Sequence, residues 1–119
     1  MYWKDLKVWQ KSHELVLDIY KVTAKFPKEE IYGLTSQVKR AAVSIPTNIV
    51  EGSSRNTTKD YLNFLYISRG SLEELRYLIL LSQELQFLSA DTHKDLESRC
   101  ALISKMLNSL IGKLKVMTD

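Results

Sequence analysis

The chain has 119 residues, of which 45% are hydrophobic and 26% charged, and its formal net charge is +3. This length and composition are typical of a folded protein, and we predict one domain over residues 1–119. Four glycines and two prolines are too few turn residues for an all-β fold, and the single cysteine excludes an intramolecular disulfide and a cysteine metal cluster.

The first predicted helix carries two apolar stripes. One stripe consists of Leu6, Trp9, His13, Val16 and Tyr20, and the other of Val8, Leu15, Ile19, Val22 and Phe26. So wide an apolar surface predicts contact with two neighbouring helices, or with neighbours and another subunit. The helix is expected to stop before Pro27, because the residue before a proline avoids helical geometry. From Pro27, one short helical turn is expected, ending at Gly33.

The second predicted helix covers about 34–53 and has Pro46 in its middle. Its inward positions are Leu34, Val38, Ala41, Ile45 and either Asn48 or Ile49. Because proline has no N–H, it removes one helical hydrogen bond and bends the axis. We interpret the proline as a structural kink, and the alternative is a bend that exposes polar backbone at a binding surface. The side chains expected to bond the freed backbone groups are those of Ser44, Thr47 and Asn48.

The third predicted helix covers about 57–87, with Thr57 and Asp60 resembling a capping box at its start. Its main seam alternates spacings of four and three residues and consists of Tyr61, Leu65, Ser68, Leu72, Leu75, Ile79 and Ser82. A second row widens this seam with Phe64, Ser71, Leu78 and Leu85.

The fourth predicted helix covers about 91–116, with Ser89 or Asp91 as its cap. Its heptad seam consists of Leu96, Cys100, Ile103, Leu107, Leu110, Leu114 and Met117. Four helices with short connections predict an all-α fold, an antiparallel up-and-down four-helix bundle with a proline-kinked second helix. An irregular orthogonal bundle is the alternative.

Neither the histidines nor the cysteine form a pattern typical of catalysis or metal binding. His13 belongs to an apolar stripe, His93 lies in the first turn of the fourth helix, and neither has an obvious metal-ligand neighbour at helical spacing. Cys100 lies in the heptad seam, so we predict a buried, unreactive thiol. We therefore predict no enzymatic activity, no metal site and no cofactor.

Five basic residues are the candidate nucleic-acid-binding residues: Lys39, Arg40, Arg55, Arg69 and Arg76. The first two come early in the second helix, Arg55 lies in the next connection, and Arg69 and Arg76 share one face of the third helix. A surface with several such side chains can neutralise phosphates. The alternative is a solvated face with local salt bridges, because Glu73 lies between Arg69 and Arg76 at helical spacings.

Several segments carry a family resemblance. Residues 32–52 read Y-G-L-T-S-Q-V-K-R-A-A-V-S-I-P-T-N-I-V-E-G, and further matching runs are L-K-V-W-Q-K-S at 6–12, F-P-K-E-E at 26–30 and G-S-L-E-E-L at 70–75. These runs resemble the bacterial four-helix-bundle family of proteins encoded in intervening sequences of large-subunit ribosomal RNA genes. The resemblance implies a ring-like homopentamer. It also implies a relationship to the accessory protein of diversity-generating retroelements, a basic pentamer that binds nucleic acid and a reverse transcriptase.

One residue departs from the family pattern. Lys39 stands where an arginine is common in the family's basic pair. Its charge is retained, but the bidentate geometry with which arginine binds phosphate is not.

The expected function is therefore that of a non-enzymatic, oligomeric protein that binds RNA or DNA. The alternative is a protein-binding scaffold with an unidentified protein partner and no nucleic-acid affinity. The most apolar window, residues 77–81, is far too short to span a bilayer, and the N-terminal residues lack the apolar core of a signal peptide. We expect a cytoplasmic protein without membrane contact.

Overall fold

A computed structural model describes residues 2–117, and it is helical throughout, with no strand in that range. The four long helices are α1 (Lys7–Thr23), α2 (Leu34–Ser53), α3 (Thr58–Glu84) and α4 (Ala90–Met117). Two short 3₁₀ turns, Trp3–Asp5 and Lys28–Glu30, precede α1 and α2. The predicted all-α four-helix fold is confirmed, and the predicted range of α2 matches the observed one.

The helices form an elongated bundle of 48 × 24 × 20 Å. Each helix packs on the next one along the chain, and α1 also packs on α4. Since residues 54–57 and 85–89 form short connections, consecutive helices run antiparallel. The largest fully buried side chains come from all four helices: Leu15, Ile19, Val38, Ile45, Ile49, Leu65, Leu72, Leu75, Ile79, Leu96, Ile103 and Leu107. Within residues 2–117, no helix is long and apolar enough to cross a membrane.

The two predicted stripes of α1 differ in burial. Val8, Leu15 and Ile19 of the second stripe are core residues. The first stripe is only partly covered, and its members His13 and Tyr20 are exposed. The inward placement of His13 is wrong, because α1 turns its Val8–Leu15–Ile19 line toward the bundle and His13 lies outside it. The His13 ring instead stacks on the Trp9 ring, with centroids 5.0 Å apart and planes 7° apart.

Pro46 is buried within α2, which continues as a helix on both sides of it. The polar neighbours bond the carbonyls of Val43 and Ser44, and not that of Ala42, which is the carbonyl that Pro46 leaves without its helical donor. Thr47 Oγ1 donates to the carbonyl of Val43 at 2.7 Å, and Asn48 Nδ2 donates to the carbonyl of Ser44 at 2.8 Å. Back-bonding of this kind, from a side chain to the carbonyl four residues earlier, often accompanies a bent helix. The bend itself stays a prediction.

Small polar residues allow α2 and α3 to approach each other closely. Ser68 Oγ, which is fully buried, donates to the carbonyl of Ile45 at 2.9 Å. Ser44 and Ser71 share a hydrogen bond between their hydroxyls at 2.7 Å. The interior of this contact is thus partly polar but hydrogen-bonded, which avoids the cost of unsatisfied buried groups.

The end of α3 differs from the predicted range, because the helix ends at Glu84 and not near residue 87. Gln86 has a positive φ of 68°, the N–H of Phe87 donates to the carbonyl of Ser82 at 2.8 Å, and that of Gln86 donates to Gln83 at 2.9 Å. This pattern is a Schellman motif with glutamine where glycine is usual. The helix end therefore carries no glycine signal in the sequence.

The start of α4 agrees with the capping prediction, because Ser89 Oγ accepts from the N–H of Thr92 at 3.1 Å. Its heptad seam is buried from Leu96 to Leu114, whereas Met117 is exposed. Cys100 is fully buried, as predicted. Burial raises the pKa of its thiol to about 12, and the nearby Glu97 carboxylate acts in the same direction.

Candidate nucleic-acid interface

Lys39 and Arg40 line the same surface groove of about 420 Å³ on the α1–α2 side of the bundle. Lys39 Nζ lies 4.7 Å from the centroid of the Tyr20 ring, which holds the ammonium group against α1 by a cation–π contact. The groove is lined by Tyr20, Lys39, Arg40, Val43, Ser44, Thr47, Asn48 and Glu51. The groove therefore combines two cations, one aromatic ring and several hydrogen-bonding side chains, with one carboxylate at its edge.

Arg40 also reaches the seam between α2 and α3. It lines a second depression of about 330 Å³ together with Ser71 and Glu74. Because Arg40 has five donors and is exposed, it can contact a ligand that covers either depression.

Arg55 lies in the connection between α2 and α3, apart from the Lys39–Arg40 groove. Its guanidinium carbon lies 4.5 Å from the centroid of the Phe64 ring. Phe64 lies in the second turn of α3, so its ring holds the Arg55 guanidinium against this helix. Arg55 is exposed and is presented on an aromatic platform.

Arg69 lies on the side of α3 that faces α4. Its Nη1 donates to Oδ1 of Asn108 at 3.2 Å, and its guanidinium carbon lies 5.1 Å from the Tyr66 ring centroid. Lys115 Nζ lies 5.8 Å from the same ring. Two cations from different helices thus share one aromatic side chain.

Arg76 is engaged in an intramolecular ion-pair network. Its Nε donates to Glu97 Oε1 at 3.0 Å, and its Nη1 donates to Glu73 Oε1 at 3.0 Å. The hydrogen bond to Glu97 raises the pKa of the Arg76 guanidinium further. Among the five candidates, Arg76 therefore has the fewest donors left for a phosphate.

The structure brings some of the predicted residues together and separates others. Lys39 and Arg40 share a groove, Arg69 and Arg76 both face α4, and Arg55 lies alone at the α2–α3 connection. Sequence reasoning missed the supporting residues Tyr20, Phe64, Asn108 and Lys115. For Tyr20, its membership of the first α1 stripe was an available signal, since an aromatic residue outside the core can support a cation.

The histidine, cysteine and acidic side chains bear on whether the bundle could hold a metal ion. In the part of the chain that the structure describes, no group of three or more histidine, cysteine or acidic side chains could hold a metal ion. His93 lies in a groove of about 370 Å³ between α3 and α4, beside the carboxylates and guanidinium of the Arg76 network.

The family model described as 23S rRNA-intervening sequence protein matches residues 4–109. The chain belongs to this family. The resemblance read from the α2 motif is thereby confirmed.

A solved structure shares the fold of this intervening-sequence family member. It is the crystal structure of a protein from Bacteroides thetaiotaomicron VPI-5482, described as a protein with unknown function from the S23 ribosomal protein family. It is 24% identical, has a TM-score of 0.82, and the match covers 88% of this chain and 95% of the other. No curated protein matches this chain. Neither matching description names a catalytic activity.

Proposed function

We propose that this family member is a non-enzymatic protein that binds RNA or DNA and acts as a ring-like homopentamer. The observation that carries the proposal is the Lys39–Arg40 groove. It places two cations beside the exposed Tyr20 ring and the side chains of Thr47 and Asn48. Cations neutralise phosphates, hydroxyl and amide groups bond the backbone, and an aromatic ring can stack on a base.

Two further sites repeat the combination of a cation with an aromatic ring. They are Arg55 on Phe64 and Arg69 with Lys115 on Tyr66. Packing against a ring restricts a long flexible side chain, so less conformational entropy is lost when it meets a phosphate. These sites lie on different sides of the bundle, so a single strand would not reach them all on one copy.

Oligomerisation would compensate for the low charge of one chain. Five copies multiply the formal net charge of +3 per chain to +15, and repeated weak phosphate contacts gain from multivalency. The apolar surface left by one bundle supports association. It includes Leu17, Ile67, Tyr77, Leu80 and Leu102.

A salt-dependent gel shift with structured RNA and with duplex DNA tests the proposal. Each neutralised phosphate releases counterions, so the affinity is expected to fall with a log–log slope of about −0.7 to −0.9 per contact. Arg40→Glu with Arg55→Glu should abolish the shift while the helicity and the oligomer mass stay unchanged. The matched control is Lys11→Glu with Lys94→Glu, which makes the same charge change at exposed lysines that line neither the Lys39–Arg40 groove nor the second depression.

A second candidate function is a protein-binding scaffold without nucleic-acid affinity. The loop before α2 favours it, because Tyr32 is 95% exposed and Ile31 is 56% exposed. Such apolar side chains at a loop tip are typical of protein contacts. If the wild-type protein shows no affinity for RNA or DNA even at low salt, this function replaces the first.

A further inference from the structure

An apolar groove with a cationic rim lies between the start of α1 and the C-terminal half of α4. Its volume is about 410 Å³, and it is lined by Leu6, Lys7, Val8, Lys105, Met106, Ser109, Leu110 and Lys113. The three lysines are exposed, and within residues 2–117 none of them has an ion-pair partner. An occupant of this groove should therefore present apolar side chains flanked by negative charge.

The same chain exposes a strip of that composition on α3. The strip is formed by Glu73, Tyr77, Leu80 and Glu84, whose spacings of four, three and four residues place them along one line of the helix. Tyr77 is 61% exposed and Leu80 is 40% exposed. Glu84 has no ion-pair partner among the described residues, and Glu73 pairs only with Arg76. The strip thus has an apolar centre and one unpaired carboxylate, that of Glu84, because Arg76 already pairs with Glu73.

From this complementarity we infer that the α3 strip of one copy docks in the α1–α4 groove of the next copy. Tyr77 and Leu80 pack on the groove floor formed by Leu6, Met106 and Leu110, and Glu84 meets Lys113 at the groove rim. The inference rests on the oligomer of the proposed function and names the surfaces that build it.

The contact is heterologous, because the groove and the strip are different surfaces of the chain. Each copy therefore donates a strip to one neighbour and accepts a strip from another, and such contacts continue until a ring closes. Burial of Tyr77 and Leu80 supplies apolar contact area, and the charges fix the register and exclude wrong pairings.

Cross-linking tests the contact directly. The variant carries Tyr77→Cys in the strip and Ser109→Cys in the groove, and a short bismaleimide joins neighbouring thiols. Cys100 is buried and should not react. On a denaturing gel we expect a ladder that extends to five chains. Each single variant alone should stay at the mass of one chain, and a mixture of the two should give only dimers.

The matched control pairs Ser109→Cys with Gln37→Cys, which is exposed on α2 away from the strip. This pair should give no ladder. If the Tyr77→Cys and Ser109→Cys pair gives no more product than the control, the contact is overturned. A product limited to dimers in the double variant would indicate a two-fold contact and would also overturn it.

A charge swap tests the same contact without cysteines. Lys113→Glu should raise the concentration at which the oligomer dissociates by about tenfold, because it places like charges at the contact. In the double variant Lys113→Glu with Glu84→Lys, the dissociation concentration should return most of the way to the wild-type value. Glu84→Lys alone should weaken assembly. If Lys113→Glu leaves assembly unchanged, or if Glu84→Lys gives no rescue, the named surfaces do not meet.

The mass of the wild-type protein separates this inference from the proposed function. Light scattering should give about five times the chain mass of 13.8 kDa. If that mass is found but the cross-link and the charge swap fail, the ring stands and the α3–groove contact is wrong. A monomer at micromolar concentration would overturn both the contact and the pentamer.

Discussion

Gly52→Ala should destabilise the protein, because α3 packs closely against α2 at this glycine. A methyl group at Gly52 would lie 2.8 Å from Cδ1 of Tyr61 and 2.9 Å from Cβ of Phe64. Both separations are shorter than carbon atoms adopt in packed proteins. Since the Cβ of Phe64 is fixed by the α3 backbone, the two helices must move apart.

The size of the effect follows from two opposing contributions. Overpacking of this kind costs about 1–3 kcal/mol, and replacing a helical glycine by alanine returns about 0.5–1 kcal/mol. The difference between these ranges is about 0–2.5 kcal/mol, so we expect a net loss of roughly 1 kcal/mol in the free energy of unfolding. The displaced Phe64 ring also supports Arg55, so the affinity for nucleic acid should fall as well.

Urea denaturation followed by far-ultraviolet circular dichroism measures this change, with the midpoint lowered and the m-value unchanged. Gly70→Ala is the matched control. Gly70 lies within α3, and no atom lies within 4 Å of the position that its Cβ would take. That variant should gain about 0.5–1 kcal/mol. If Gly52→Ala gains as much stability as Gly70→Ala, the packing argument is refuted.

Three further predictions concern single side chains. Gln86→Gly should stabilise the protein by about 1 kcal/mol in the same denaturation assay, because a left-handed residue other than glycine is strained; an unchanged midpoint would contradict this. Cys100 should react with thiol reagents only after denaturation. Burial raises the pKa of the Cys100 thiol to about 12 in the folded protein, compared with about 8.5 in the unfolded chain. The contribution of the thiol to the free energy of unfolding should therefore decline as the pH rises above about 9, by up to about 1.4 kcal/mol per pH unit. The variant Cys100→Ala should lack this decline. Arg76→Gln should lower the free energy of unfolding by about 1 kcal/mol yet weaken nucleic-acid binding less than Arg40→Gln does, and the reverse order would place Arg76 in the interface.

The sequence by itself determined the helices and their buried faces. The alternating spacings of α4 from Leu96 to Leu114 predicted the buried seam, because only a helix places such residues along one side. The range of α2 was equally predictable, since Gly33 precedes it and a Gly-Ser-Ser run ends it. The helix was predicted to continue through Pro46, because its inward-facing apolar residues keep helical spacing on both sides of the proline.

Only the tertiary structure decided how the ends and outer faces of the helices are used. The end of α3 depends on Gln86, whose left-handed backbone is strained. Hydrogen bonds and packing of the following turn offset this strain, and the helix propensity of the residues does not predict it. His13 has the spacing of a core residue, but the rotation of α1 is set by how all the helices pack together. The same holds for the cations. Arg76 and Arg69 are equivalent in the sequence, yet Arg76 bonds the carboxylate of Glu97 on α4, whereas Arg69 bonds the amide of Asn108 and packs on a tyrosine ring. Glu97 lies 21 residues from Arg76, and Asn108 lies 39 residues from Arg69. These two pairs therefore form only when α3 and α4 are packed together.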